Sequence, residues 1–237
     1  MVWFYNQMDI VYVPSQAMGD ELAEKGIAKD KILLYPRGVD MDLFKPMPRE
    51  NTEKITLLYV GRISKEKNLD TLANAFYELC KERDDIKLQI VGDGPYKEEM
   101  ESILKSANVD FLGYKSRDEL AQIYSDADLF VFPSTTDTFG NVILEAQACG
   151  TPVIVTNSGG PMENMIPDKT GIIVNGNDEK ALYKGIKSLL NKEKLESMRQ
   201  ETIKYMENRS FDEAFLKTWK IYEEGKSLCS QLTSSPG

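Results

Sequence analysis

The sequence contains no histidine. Imidazole therefore cannot act as general base or metal ligand, which closes Ser-His-Asp, Cys-His and histidine-metal chemistry together. Cysteine is scarce. Cys80, Cys149 and Cys229 are odd in number and scattered in spacing, which argues for a reducing compartment and against a disulfide framework or zinc site. No apolar run approaches the roughly 20 residues that span a bilayer. The first residues also lack the charged-then-apolar layout of a signal peptide. These features predict a cytoplasmic protein with at most peripheral membrane contact. Positive charge is in deficit, with 29 Lys and Arg against 38 Asp and Glu for a net charge of -9. Non-specific nucleic-acid binding needs clustered cations and is disfavoured. Neither Gly-x-x-x-x-Gly-Lys-Ser/Thr nor Gly-x-Gly-x-x-Gly occurs, so the common nucleoside-triphosphate and dinucleotide fingerprints are absent.

What is present suits a globular fold: 237 residues, 41% of them hydrophobic, suffice for a sizeable core. From residue 55 onward, short apolar runs alternate with helical patterns. Strands are expected over 55–60, 86–91, 109–112, 129–132, 153–155 and 171–174. Helices are expected over 69–82, 95–106, 117–124 and 141–149, and Pro95 suits a first helical turn. This alternation indicates βαβ units and a parallel, doubly wound, Rossmann-like α/β sheet. Three further helices are expected over 178–190, 193–208 and 211–224. The first 48 residues carry two short strands, a helix capped by Ser15 and a Pro-rich run over 36–48. That is too little to fold alone. The expected domains are a remnant and linker (1–48), an α/β domain (49–208), a final crossover helix (209–226) and a disordered tail (227–237).

The chemistry concentrates in the stretch from Ser134 to Glu145. A strand, a Ser/Thr/Asp/Gly turn and a helix start form an anion site, because unpaired N–H groups and the helix dipole point outward there. Asp137 and Glu145 flank Phe139-Gly140-Asn141 and cannot serve the same anion, so they are assigned to neutral groups beside it, such as hydroxyls. An anion next to a polyol suggests a sugar nucleotide. The loop after the first strand of the α/β domain, Gly61 to Asn68, carries Arg62 and Lys67, a fork of donors and a mobile point charge suited to a diphosphate. A solvated charged loop is an equally good reading of those residues alone. Gly92 and Gly94 permit close approach to a ligand, as does Gly113 before Tyr114, but ordinary turns explain them as well. Gly159-Gly160 offers a second N–H cradle, and Glu163 in the next turn reads as a dipole carboxylate or a donor contact. Asp40-x-Asp42 and Asp126-x-Asp128 read as solvated turns, and no metal is expected.

Taken together, Gly61-Arg62…Lys67, Val91-Gly92-Asp93-Gly94-Pro95, Leu112-Gly113-Tyr114, Phe132-Pro133-Ser134, Asp137-Thr-Phe-Gly-Asn-Val-Ile-Leu-Glu145 and Gly159-Gly160-Pro161-Met162-Glu163 resemble the glycosyltransferases group 1. These are the retaining GT-B enzymes of family 4. Pro36 to Pro46 resembles that family's inter-domain linker. The resemblance implies the C-terminal half of a GT-B fold, binding UDP- or GDP-sugar and transferring a hexose to a glycan or lipid acceptor, with no metal cofactor. It implies diphosphate contacts at Arg62 and Lys67, ribose at Glu145 and donor-sugar hydroxyls at Asp137. Backbone around Phe139, Gly140, Asn141 and Val142 would serve sugar and phosphate, and Gly113-Tyr114 would lie near the base. Asp137 stands where the family usually has Glu, one methylene shorter. The acceptor half is missing apart from its last elements, so the isolated chain is expected to bind nucleotide but not transfer sugar. The alternative is a non-catalytic α/β nucleotide-binding or regulatory module.

Overall fold

The computed structural model describes residues 2–49 and 52–233. The chain opens with helix α1 (Val2–Asn6), strand β1 (Val11–Val13), helix α2 (Gln16–Glu24) and strand β2 (Ile32–Leu34). Ser15 caps α2 as its position predicts, its hydroxyl accepting from the Met18 N–H. β1 and β2 pair in parallel over a small cluster of Val11, Val13 and Ile27, separate from the main core.

The main sheet comprises β3 (Ile55–Val60), β4 (Ile86–Val91), β5 (Val109–Gly113), β6 (Leu129–Phe132), β7 (Val153–Thr156) and β8 (Gly171–Val174). Its order is β5-β4-β3-β6-β7-β8 and every pairing is parallel. β3, β6 and β7 are buried along their whole length, the near-continuous apolar pattern of strands covered on both faces. Helix α3 (Leu69–Cys80) buries Leu69, Leu72, Ala73, Phe76 and Leu79, one face of a 3.6-residue period. It packs on α4 (Lys97–Ile103) and α7 (Glu179–Leu189). On the other side, α6 (Asn141–Ala148) packs on α5 (Arg117–Asp126) and α8 (Lys192–Met206). Ser116 and Glu119 form a complete capping box at the start of α5. The doubly wound α/β reading is borne out.

Three expectations change in detail. α4 begins at Lys97, two residues after Pro95, because the Tyr96 N–H turns back to the Ile63 carbonyl at 3.1 Å. The last helix, α9 (Phe211–Thr233), continues past residue 226, since no proline interrupts 227–233; the rest of the expected tail, 234–237, lies outside the described residues. The Pro-rich segment is docked rather than loose. Phe44 is buried in the main core edge-on to Tyr124 at 6.0 Å, and Val39 exchanges backbone hydrogen bonds with Arg209 and Phe211. Among the described residues, no helix is long and apolar enough to cross a membrane.

Candidate functional site

The sheet order reverses between β3 and β6. Successive strands run outward from β3 on one side and from β6 on the other, so the loops at their carboxyl ends part and leave a crevice. A cavity of about 340 Å³ lies there, lined by Gly61, Arg62, Lys67, Asp137 and the first residues of α6. These are the groups that sequence spacing singles out, drawn from loops 70 positions apart.

The β3 loop is held in place by its own chain. The Tyr59 hydroxyl donates to the Arg62 carbonyl at 3.0 Å. Burial pushes the Tyr59 phenol well above its ordinary range, with Asp137 and Glu66 adding to the effect, so it stays a donor. A 3-10 turn (Lys65–Lys67) ends at Asn68, which is buried and left-handed at φ 58°. Its side-chain amide donates to the Pro133 carbonyl at 3.2 Å, tying the loop to the end of β6. That non-glycine left-handed residue fixes the backbone next to Lys67.

Lys67 Nζ stands 2.9 Å from the Asp137 carboxylate, with both side chains about three-quarters buried (22% and 24% exposed). The cation assigned to phosphate and the acid assigned to sugar hydroxyls therefore hold one another. Arg62 is exposed and reaches Glu66 only at 3.7 Å. At Gly140 the chain turns left-handed (φ 80°) into α6, and no side chain caps that helix start. Phe139 is braced from behind: the buried Asn164 amide donates to its carbonyl at 2.6 Å, and Gln147 donates to the Asn164 carbonyl at 2.6 Å.

Glu145 faces a different space. It lines an adjoining cavity of about 530 Å³ together with Asp40, Arg117 and Asn141. The fully buried Tyr124 donates its hydroxyl to Glu145 Oε2 at 3.0 Å. Burial raises the Glu145 carboxyl above the ordinary range, while the Tyr124 hydrogen bond and Arg117 oppose that rise. Asn141 and Arg37 line both cavities, so the two carboxylates look into neighbouring compartments with the start of α6 between them.

Several assigned residues do something other than face that cavity. Both Glu163 carboxylate oxygens accept backbone N–H groups of Gln16 and Ala17 at 2.8 Å, capping α2 rather than its own turn. Gly92 and Gly94 approach backbone, not a pocket: a Cβ there would lie 2.0 Å from the Gly61 carbonyl and 2.2 Å from that of Ile63. Gly159 and Gly160 likewise admit the Asp137 and Thr138 carbonyls, at 2.4 and 2.1 Å from where a Cβ would stand. Gly113 turns left-handed at φ 65° and leaves Tyr114 80% exposed, outside the residues lining the cavity. Asp128 is a largely buried anchor and not a solvated turn residue, accepting the Thr56 N–H at 2.8 Å and pairing with Arg49. Asp40 accepts the Leu43 N–H and pairs with Arg117 at 3.2 Å. Sequence reasoning passed over Tyr59, Asn68 and Tyr124, which position assigned groups, and Arg37, which lines the cavity directly.

The family model for glycosyl transferases group 1 matches residues 40–209. The chain belongs to this family. The sulfoquinovosyl transferase of Arabidopsis thaliana is 33% identical over 223 residues, 86% of this chain and 43% of that protein. The alpha-monoglucosyldiacylglycerol synthase of Streptococcus pneumoniae is 34% identical over 184 residues, 70% of this chain and 41% of that protein. Among solved structures, sucrose-phosphate synthase from Thermosynechococcus elongatus superposes with a TM-score of 0.82 at 25% identity, covering 96% of this chain and 61% of that one. The chain thus spans less than half the length of these two curated relatives. The group 1 fold likeness supports assigning the described sheet to the C-terminal half of a GT-B architecture.

Proposed function

We propose that this chain is the donor-binding half of a retaining, metal-independent glycosyltransferase that moves a hexose from a UDP- or GDP-sugar to a glycan or lipid acceptor. The observation that carries the reading is the convergence of Arg62, Lys67, the uncapped start of α6 and Asp137 on one cavity at the switch point of the sheet. Departure of a nucleoside diphosphate concentrates negative charge on its phosphates and positive charge on the anomeric carbon. Lys67 and the α6 N–H groups are preorganised for the first, Arg62 is free to swing onto it, and no metal ion is needed to offset it. Asp137 orients sugar hydroxyls while Lys67 holds it. It is the one carboxylate among the residues lining that cavity, and it is ion-paired. That suits attack by the acceptor on the leaving-group face, with no protein nucleophile. Glu145 takes ribose hydroxyls in the adjoining compartment, where its raised affinity for a proton matches a group awaiting hydrogen-bond donors. The names of the sulfoquinovosyl and monoglucosyldiacylglycerol relatives support a sugar donor and a lipid among acceptor classes.

Calorimetric titration of the 237-residue chain with UDP, GDP and ADP in EDTA tests the reading. Binding of at least one of them below millimolar concentration, unchanged by added Mg²⁺, is the expected result. No heat from any of the three up to several millimolar would sink it.

A further inference from the structure

Arg37 belongs to the segment between β2 and β3, outside the main sheet, yet its side chain reaches the donor cavity. Its backbone is clamped just beyond. At Gly38 a Cβ would stand 2.2 Å from the Ser210 carbonyl, and the Val39 N–H donates to the Arg209 carbonyl at 3.0 Å. The linker therefore lies flat against the approach to α9 and presents Arg37 sideways.

Neutral groups aim the guanidinium. Nη1 donates to Asn141 Oδ1 at 3.0 Å, Nε donates to the Tyr35 hydroxyl at 3.1 Å, and the group sits 5.4 Å from the Phe139 ring centroid. Two of its five N–H groups are engaged in this way. Among the described residues no carboxylate pairs with Arg37. The other cations of the cavity differ: Lys67 is held by Asp137 at 2.9 Å, and Arg62 faces Glu66 at 3.7 Å. A planar fork fixed beside an open helix start, with donors to spare and no acid to neutralise it, is suited to a phosphate oxygen.

We infer that Arg37 is a third phosphate-binding cation of the donor site, giving its free guanidinium edge to the diphosphate of the nucleotide sugar. This rests on the donor-site reading above. It adds a contact made by the linker, so that the diphosphate is gripped by the β3 loop, the α6 start and the linker together.

The test is calorimetry on the full chain and its Arg37→Ala and Arg37→Lys variants with UDP, GDP, uridine and guanosine, with matched melting temperatures as the folding check. Arg37→Ala is expected to weaken the diphosphate that the parent binds by about tenfold or more, and to leave its nucleoside within twofold. Arg37→Lys recovers part of the loss, keeping the charge without the fork. Unchanged diphosphate affinity in Arg37→Ala, alongside a loss in Arg62→Ala, overturns the inference and leaves the donor reading standing. Equal losses for diphosphate and nucleoside also overturn it, because Arg37 would then act by placing Asn141 or Phe139. A parent chain that binds no diphosphate removes the donor reading and the inference with it.

Discussion

At the amino ends of β3 and β6, Asp128 accepts the Thr56 N–H and pairs with Arg49, whose guanidinium also donates to the Asp126 and Ala127 carbonyls at 3.2 and 3.3 Å. At the carboxyl ends of the same two strands, Arg62 meets Glu66 only at 3.7 Å, and Arg37 meets no acid among the described residues. The strands are equally buried at both ends, so burial does not account for the difference. Charge at one end is tied to the strand backbone by the Arg49–Asp128 pair and three hydrogen bonds, and it locks the start of the sheet. At the other end Lys67 is paired with Asp137, but the guanidinium groups of Arg62 and Arg37 keep spare donors, which suits an incoming anion.

Substitutions can break that contrast from either side. Asp128→Ala leaves the largely buried Arg49 guanidinium without its acid and the Thr56 N–H without its acceptor. The expected loss is about 2–3 kcal/mol in urea unfolding, with diphosphate affinity within twofold of the parent. Arg62→Ala should do the reverse: diphosphate affinity falls about tenfold while unfolding free energy moves by less than about 0.5 kcal/mol. If Asp128→Ala kept its stability or Arg62→Ala lost it, the two ends would not differ in the way described.

The smallest effect concerns Glu145. An acid whose native pKa is raised binds its proton more readily folded than unfolded. Native stability therefore falls as pH climbs from the ordinary glutamate range through the raised native value, and stays reduced above it. Glu145→Gln keeps an acceptor for Tyr124 and has no charge to bury. Thermal melts should show it more stable than the parent at pH 7, with the gap closing near pH 4. A gap of the same size at both values would mean that burial of charge is not the cause.

The sequence showed the sheet clearly because each strand is a short apolar run bounded by turn residues, and Ser15 announced a helix start by its chemistry alone. In a parallel doubly wound sheet ligands lie at the carboxyl ends of the strands, which is where the loops carrying Arg62, Lys67 and Asp137 emerge. What was not legible depends on partners far along the chain. Glu163 looks like a dipole carboxylate in its own turn, yet it serves a helix 147 positions away. Lys67 and Asp137 read as two separate functions because nothing in their spacing announces an ion pair. Arg37 was hidden by its surroundings: three prolines within 13 residues mark a connector, and composition does not reveal that a connector is pinned over a site. Asp128 was misread for the same reason, its short turn giving no sign of Arg49, 79 positions earlier.

The loops after β3 and β4 interlock through main chain, the Gly61 and Ile63 carbonyls pressed against Gly92 and Gly94, with Lys65 also 5.2 Å from the Tyr96 ring centroid. Any side chain introduced at either glycine would force the loops apart, so the backing that holds Gly61 in the cavity lining tolerates no side chain at those two positions. Diversification has to act elsewhere, on the side chains that line the turn into α6. Libraries aimed at reshaping the cavity should leave the interlocked glycines alone and randomise those positions.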